Sequence, residues 1–177
     1  MELRQKIQII QNLIRVENFT AAIINCKKLL KKHPNNSFVY NLCGLALQGE
    51  RKIVSSVEFF TQALFHEPEN IAAMNNLANS YKHLNQIEKA EDLYLKIIKK
   101  DPKNIKALNN YGNLMQKLNN FNEAIKIYEK AFLINKNQLN ILFSLAISHQ
   151  SIGEFEKAKD YALKILDIDS KNTSAHK

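Results

Sequence analysis

The chain has 177 residues, 45% of them hydrophobic, with four glycines, three prolines and a formal charge of +8. No stretch approaches the ~20 apolar residues of a membrane-spanning helix, and no glycine-rich phosphate loop is present, so both are excluded. The charge raises nucleic acid or an acidic partner. Only Arg4, Arg15 and Arg51 among the 25 basic residues are arginine, however, and the excess of lysine, asparagine and isoleucine matches AT-rich codons. The charge therefore reads as a solvated surface, and nucleic acid is not expected as a partner.

In chain order, residues 1–19 contain no apolar run of the kind a secretion signal needs, so a cytoplasmic protein is expected. Lys27, Lys28, Lys31 and Lys32 then precede Pro34. The other two prolines, Pro68 and Pro102, follow at intervals of 34 residues. A fixed period of this length means one supersecondary unit copied in tandem. Placing proline at position 32 of the unit gives repeats 3–36, 37–70, 71–104, 105–138 and 139–172. Position 8 then holds Ile10, Gly44, Ala78, Gly112 and Ala146, and position 20 holds Ala22, Ser56, Ala90, Ala124 and Ala158. Position 24 holds Cys26, Phe60, Tyr94, Tyr128 and Ala162, and position 27 holds Leu29, Ala63, Ile97, Ala131 and Ile165. Small residues recur where two helices would cross closely, with large apolar ones between them.

The third unit shows the local pattern most clearly. Ile71, Met74, Leu77, Ala78, Tyr81 and Leu84 follow the i, i+3, i+4 spacing of one helical face, which predicts a helix over 71–84. Ile87, Ala90, Leu93, Tyr94, Ile97 and Ile98 predict a second over 87–100, with Asn85-Gln86 as the turn between. Lys99 and Lys100 suit a helix C-terminus, and Asp101 before Pro102 is disfavoured in a helix, so the element stops there. Each unit is thus a helical hairpin, with no strand periodicity. Gly153 falls in the inter-helix turn of the fifth unit. Its second helix is predicted to end near Asp169, with a turn over 170–172 and Thr173–Lys177 starting a further repeat or cap. A terminal repeat needs a polar outer face, yet Phe155, Ala158, Tyr161, Ala162 and Ile165 make an apolar one. A continuation or self-association through this face is therefore expected.

These positions resemble the tetratricopeptide repeat over nearly the whole chain. The third and fourth units carry the motif best, through Met74, Leu77, Ala78, Tyr81, Ala90, Tyr94 and Pro102, then Leu108, Tyr111, Gly112, Ala124, Tyr128 and Ala131. The first unit departs most, with Lys6 at position 4 and Ile10 at position 8. Lys136 and Ser170 replace the proline in the fourth and fifth. The resemblance implies an all-α, right-handed α-α superhelix of five helix-turn-helix repeats, with residues 1–177 as one solenoid domain. It also implies that the first helices line a concave groove holding a polypeptide partner.

On that face, positions 2, 6, 9 and 13 share one helical stripe, with 5 and 12 beside it. The candidate groove residues are Asn75, Asn76, Asn79 and Lys82 in the third unit. In the fourth they are Lys106, Asn109, Asn110, Asn113, Gln116 and Lys117. Amides carry donors and acceptors together, which suits gripping a peptide backbone without demanding a sequence. The phrases Asn76-Leu77-Ala78-Asn79 and Asn110-Tyr111-Gly112-Asn113 are similar to the repeats of O-linked N-acetylglucosamine transferases, where an asparagine ladder holds substrate polypeptides. By that resemblance Asn76 and Asn110 are ladder positions, and a substrate-presenting module of a larger glycosyltransferase or sulfotransferase is the alternative function. The corresponding positions elsewhere are Gln8, Leu42 and Ser144. The family's carboxylate clamp is not matched, because its cationic positions hold Asn75, Asn140 and Ser144.

No chemistry of the chain's own is expected. His33, His66, His83, His149 and His176 form no metal-binding spacing and no CxxC exists, so neither metal nor cofactor is predicted. Ser148 and His149 are adjacent on a helix and point apart, so they make no nucleophile–base pair. His149, at a packing position, reads as a core or rim histidine. Cys26 and Cys43 read as small buried hydrophobes with reduced thiols.

Overall fold

The hairpin turns show how the sequence sets this architecture. Position 15 of every repeat has a left-handed backbone: Glu17 (φ 58°), Arg51 (61°), Asn85 (58°), Asn119 (57°) and Gly153 (80°). One residue in this region reverses the chain between two helices. Glycine accepts it freely and asparagine tolerates it, whereas glutamate and arginine are there against their preference. The computed structural model describes residues 2–174, in which ten α-helices and no strands occur. They are α1 (Leu3–Arg15), α2 (Phe19–Lys32), α3 (Ser37–Gly49), α4 (Ile53–His66), α5 (Ile71–His83), α6 (Ile87–Lys100), α7 (Ile105–Lys117), α8 (Phe121–Ile134), α9 (Leu139–Ser151) and α10 (Phe155–Ser174). The fold is all-α, five helix-turn-helix repeats, as the period predicts.

Asparagine starts five of these helices. Asn18, Asn36, Asn70, Asn104 and Asn120 each accept a hydrogen bond from the backbone N–H three residues on. Each such cap satisfies a donor that the helix leaves open. Five of the chain's 22 asparagines therefore have a capping role that composition alone does not reveal. Between hairpins the residue before proline leaves the helical region, as at His33 (φ −134°, ψ 68°) and Glu67 (φ −142°, ψ 82°).

The fifth repeat departs from expectation. No turn forms over 170–172; α10 continues through them to Ser174. Position 32 holds Ser170 where three repeats have proline, so no ring blocks the helix. This permits the extension without requiring it, since α8 ends at Ile134 ahead of Lys136 at the same position. Thr173 and Ser174 extend α10 and do not open a new element, and residues 175–177 lie outside the described residues.

The helices group into two compact units divided between Leu93 and Tyr94, within α6. In the first, α3 packs on α1, α2, α4 and α5. In the second, α7 packs on α8 and α9, and α9 on α8 and α10. The small-on-large rule of positions 8 and 24 is visible in both. A Cβ on Gly44 would meet the Phe60 ring at 2.5 Å, and one on Gly112 would fall inside contact distance of the Tyr128 ring. Phe60 and Tyr128 are fully buried. Cys26 and Cys43 are free, buried and hydrogen-bonded to each other. That bond, with burial, holds the Cys26 thiol far above its ordinary range.

Candidate functional site

The first helices carry the candidate residues, and the structure sorts them by depth. On α5, Asn75 and Asn76 are only 3% and 5% exposed. Asn76 faces the preceding repeat, where its Nδ2 donates to Asn41 Oδ1 at 2.9 Å. The ladder position of this repeat is thus occupied by a repeat-to-repeat hydrogen bond. Asn79 and Lys82 are half-buried and reach the surface. Asn79 and His83, with Gln48, Arg51 and Ile53, line a depression of about 570 Å³. On α7, Lys106 and Lys117 are exposed, while Asn109, Asn110, Asn113 and Gln116 are half-buried.

Asn113 and Gln116 have internal duties. The Tyr128 hydroxyl donates toward Asn113 Oδ1 (2.7 Å) and Gln116 Oε1 (2.9 Å), one proton facing two acceptors. Burial pushes this phenol up to about 12. Gln116 Nε2 donates across to the next repeat, to Ser144 O at 3.1 Å and Ser148 Oγ at 2.7 Å. The same device stands two repeats earlier. Gln48 Nε2 donates to Asn76 O at 3.2 Å and Ser80 Oγ at 2.7 Å. In both cases a glutamine at position 12 grips the carbonyl at position 6 and the serine at position 10 of the following repeat. Sequence reasoning placed Gln116 in the groove and missed this staple. Its trace was the recurrence of Gln-to-Ser spacings of 32 residues.

His149 and His66 are both held in packing contacts. His149 is 2% exposed; its Nδ1 is 2.7 Å from Glu154 Oε2, and its ring stacks on Tyr161 at 5.5 Å. Lys157 and then His149 hold the Glu154 carboxyl below its ordinary range. His66 ends α4 and stacks on Tyr40 at 5.5 Å. Among the described residues no group of three or more His, Cys, Asp or Glu is placed to hold a metal. No helix among them is long and apolar enough to cross a membrane.

Comparison with known proteins agrees with this architecture. The family model of the Psidin N-terminal TPR repeats region matches residues 4–121, and a tetratricopeptide repeat model matches residues 104–171. Among solved structures, a crystal structure of MamA superposes with a TM-score of 0.82 at 19% identity, covering 98% of both chains. The Pseudomonas aeruginosa PilF structure gives 0.84 at 19% identity over 93% of this chain and 75% of its own. Human protein O-mannosyl-transferase TMTC3 is 35% identical over 66 residues, 37% of this chain. The chain spans only 7% of that relative's length.

Proposed function

Because the chain belongs to the tetratricopeptide repeat family, we propose that it is a protein-interaction scaffold holding a polypeptide segment on its first-helix faces. The observation that carries this reading is the polar surface of α7. Lys106 and Lys117 stand exposed about three turns apart, with Asn110 and Asn113 between them. On α5, Asn79 and Lys82 offer a smaller counterpart beside the Arg51-lined depression. Asn75, Asn76, Asn109 and Gln116 are more deeply set, and Asn76 and Gln116 tie the helices to neighbouring repeats. Amides serve backbone donors and acceptors alike, and the lysines favour an acidic segment. The module needs no chemistry of its own, and its two free thiols suit the reducing cytoplasm.

The test compares affinity capture by the native chain and by a Lys106→Ala, Asn110→Ala, Lys117→Ala variant. Partners identified by mass spectrometry and lost from the variant, at unchanged helicity, support the groove. Identical captures count against it.

A second reading is favoured by the TMTC3 match alone: a substrate-presenting module of a glycosyltransferase. Captured partners would then be enriched in O-linked sugar acceptors, and unmodified adaptors would be absent.

A further inference from the structure

The open face of the fifth repeat, formed by α9 and α10, is a groove of about 520 Å³. Phe143 (59% exposed), Phe155 (66%) and Leu166 (64%) stand around it, and Gln150 lines it. By register this is the face on which α5 sits in the second repeat and α9 in the fourth, where α3 and α4 meet α5 and where α7 and α8 meet α9. Gln150 occupies position 12, the place of Gln48 and Gln116. Those two amides each grip a following helix; the Gln150 side chain is exposed and makes no hydrogen bond among the described residues. The face is thus continuous in design with two established helix-docking interfaces and carries the third copy of their staple.

The groove also differs from those two interfaces in a way that narrows the occupant. Beneath the helix crossing, Phe60 and Tyr128 fill position 24 in the second and fourth repeats. Here position 24 is Ala162 and position 8 is Ala146, both lining the groove. A ring's worth of space is left for a side chain from outside.

We propose that this face docks an amphipathic helix of a protein partner. That helix places a serine or threonine hydroxyl four residues after the backbone carbonyl that Gln150 takes, and a bulky apolar side chain over Ala162. The spacing copies Asn76 O with Ser80 Oγ and Ser144 O with Ser148 Oγ. A second copy of this chain is the poorer occupant. Its α1 would enter with Gln8 and Asn12 at those positions, where Gln8 Nε2 already donates to Asn12 Oδ1 at 3.3 Å and no hydroxyl is offered.

The probe is a synthetic peptide of residues 70–84, the chain's own helix bearing Ser80, labelled and cross-linked between positions 72 and 79 to hold it helical. Fluorescence anisotropy with the full chain should show saturable binding. Phe155→Asp should abolish it at unchanged helicity. A Ser80→Ala peptide should weaken it about five-fold, within the range of one neutral hydrogen bond, and Gln150→Ala by more, because it also loses the bond to the carbonyl. The two changes together should weaken it little beyond Gln150→Ala alone, which already removes the bond to the serine. No saturable binding, or equal affinity for both peptides, overturns the proposal. A wild-type dimer in sedimentation that Phe155→Asp dissolves overturns it in favour of a second copy.

Discussion

Repeats two and four are built on one plan and differ in a few polar atoms at their centres. Both set a glycine, Gly44 or Gly112, over a fully buried ring. Both extend a glutamine to a serine in the next repeat. In repeat two the ring is Phe60, and the polar contact lies between Ser56 and Ser80, whose hydroxyls are 2.9 Å apart. In repeat four the ring is Tyr128, and its hydroxyl ties Asn113 and Gln116 of the first helix to the second. The packing atoms are common to both. The polar atoms are free to differ, because any arrangement that satisfies buried donors and acceptors is acceptable. A repeat protein can therefore vary its first-helix face without disturbing its spacing.

The largest effect comes from removing what the repeats share. Phe60→Ala and Tyr128→Ala should each destabilise by about 3–5 kcal/mol, since the glycine opposite leaves a cavity that cannot collapse. Urea denaturation followed by circular dichroism measures both. A loss confined to one of them would show that the two repeats do not share this packing.

A smaller change separates the repeats. Tyr128→Phe gives repeat four the ring of repeat two. It should cost about 1–3 kcal/mol, because two amide oxygens then lose their donor in a partly buried site. Above pH 12 the native hydroxyl would ionise, but the folded protein gains nothing there: burial raises the phenol, so its contribution falls as pH climbs through the ordinary tyrosine range toward 12. Equal stability of Tyr128→Phe and the native chain would mean that Asn113 and Gln116 find other donors.

How much of this was legible follows from the kind of interaction involved. The ends of α2, α4 and α6 were readable because Pro34, Pro68 and Pro102 act locally, each through its own ring and the residue before it. The helix faces of 71–84 and 87–100 were readable for the same reason. Gly44 and Gly112 were recognisable as close-packing positions because their partners, Phe60 and Tyr128, stand at a constant 16-residue offset. The depth of Asn76 was not readable. Whether an amide at position 6 faces solvent or the preceding repeat depends on how neighbouring helices stack, and Asn41 supplies a partner 35 residues away. Nor was the end of α10, where the missing proline was noticed but a turn was still expected by analogy with the earlier repeats. Lack of that breaker permits continuation, one hydrogen bond per added residue, but does not dictate it, because α8 stops at Ile134 ahead of Lys136.

The hairpin turns extend the comparison to the backbone. Position 15 is Arg51 in repeat two and Asn119 in repeat four, at nearly the same left-handed φ. An ordinary side chain in this region costs roughly 1–2 kcal/mol, and asparagine escapes part of that through its short polar group. Glycine removes the steric cost and gives back about 0.5–1 kcal/mol through the greater freedom of its unfolded chain. Arg51→Gly should therefore stabilise by about 0.5–1 kcal/mol, and Asn119→Gly should be close to neutral. Denaturant midpoints of the two variants against the native chain measure the difference. Equal gains at both sites would mean that the turn, not the residue in it, sets the strain. A loss at Arg51 alone would instead mean that its side chain, which lines the depression with Asn79 and His83, stabilises the second repeat by a contact larger than its backbone strain.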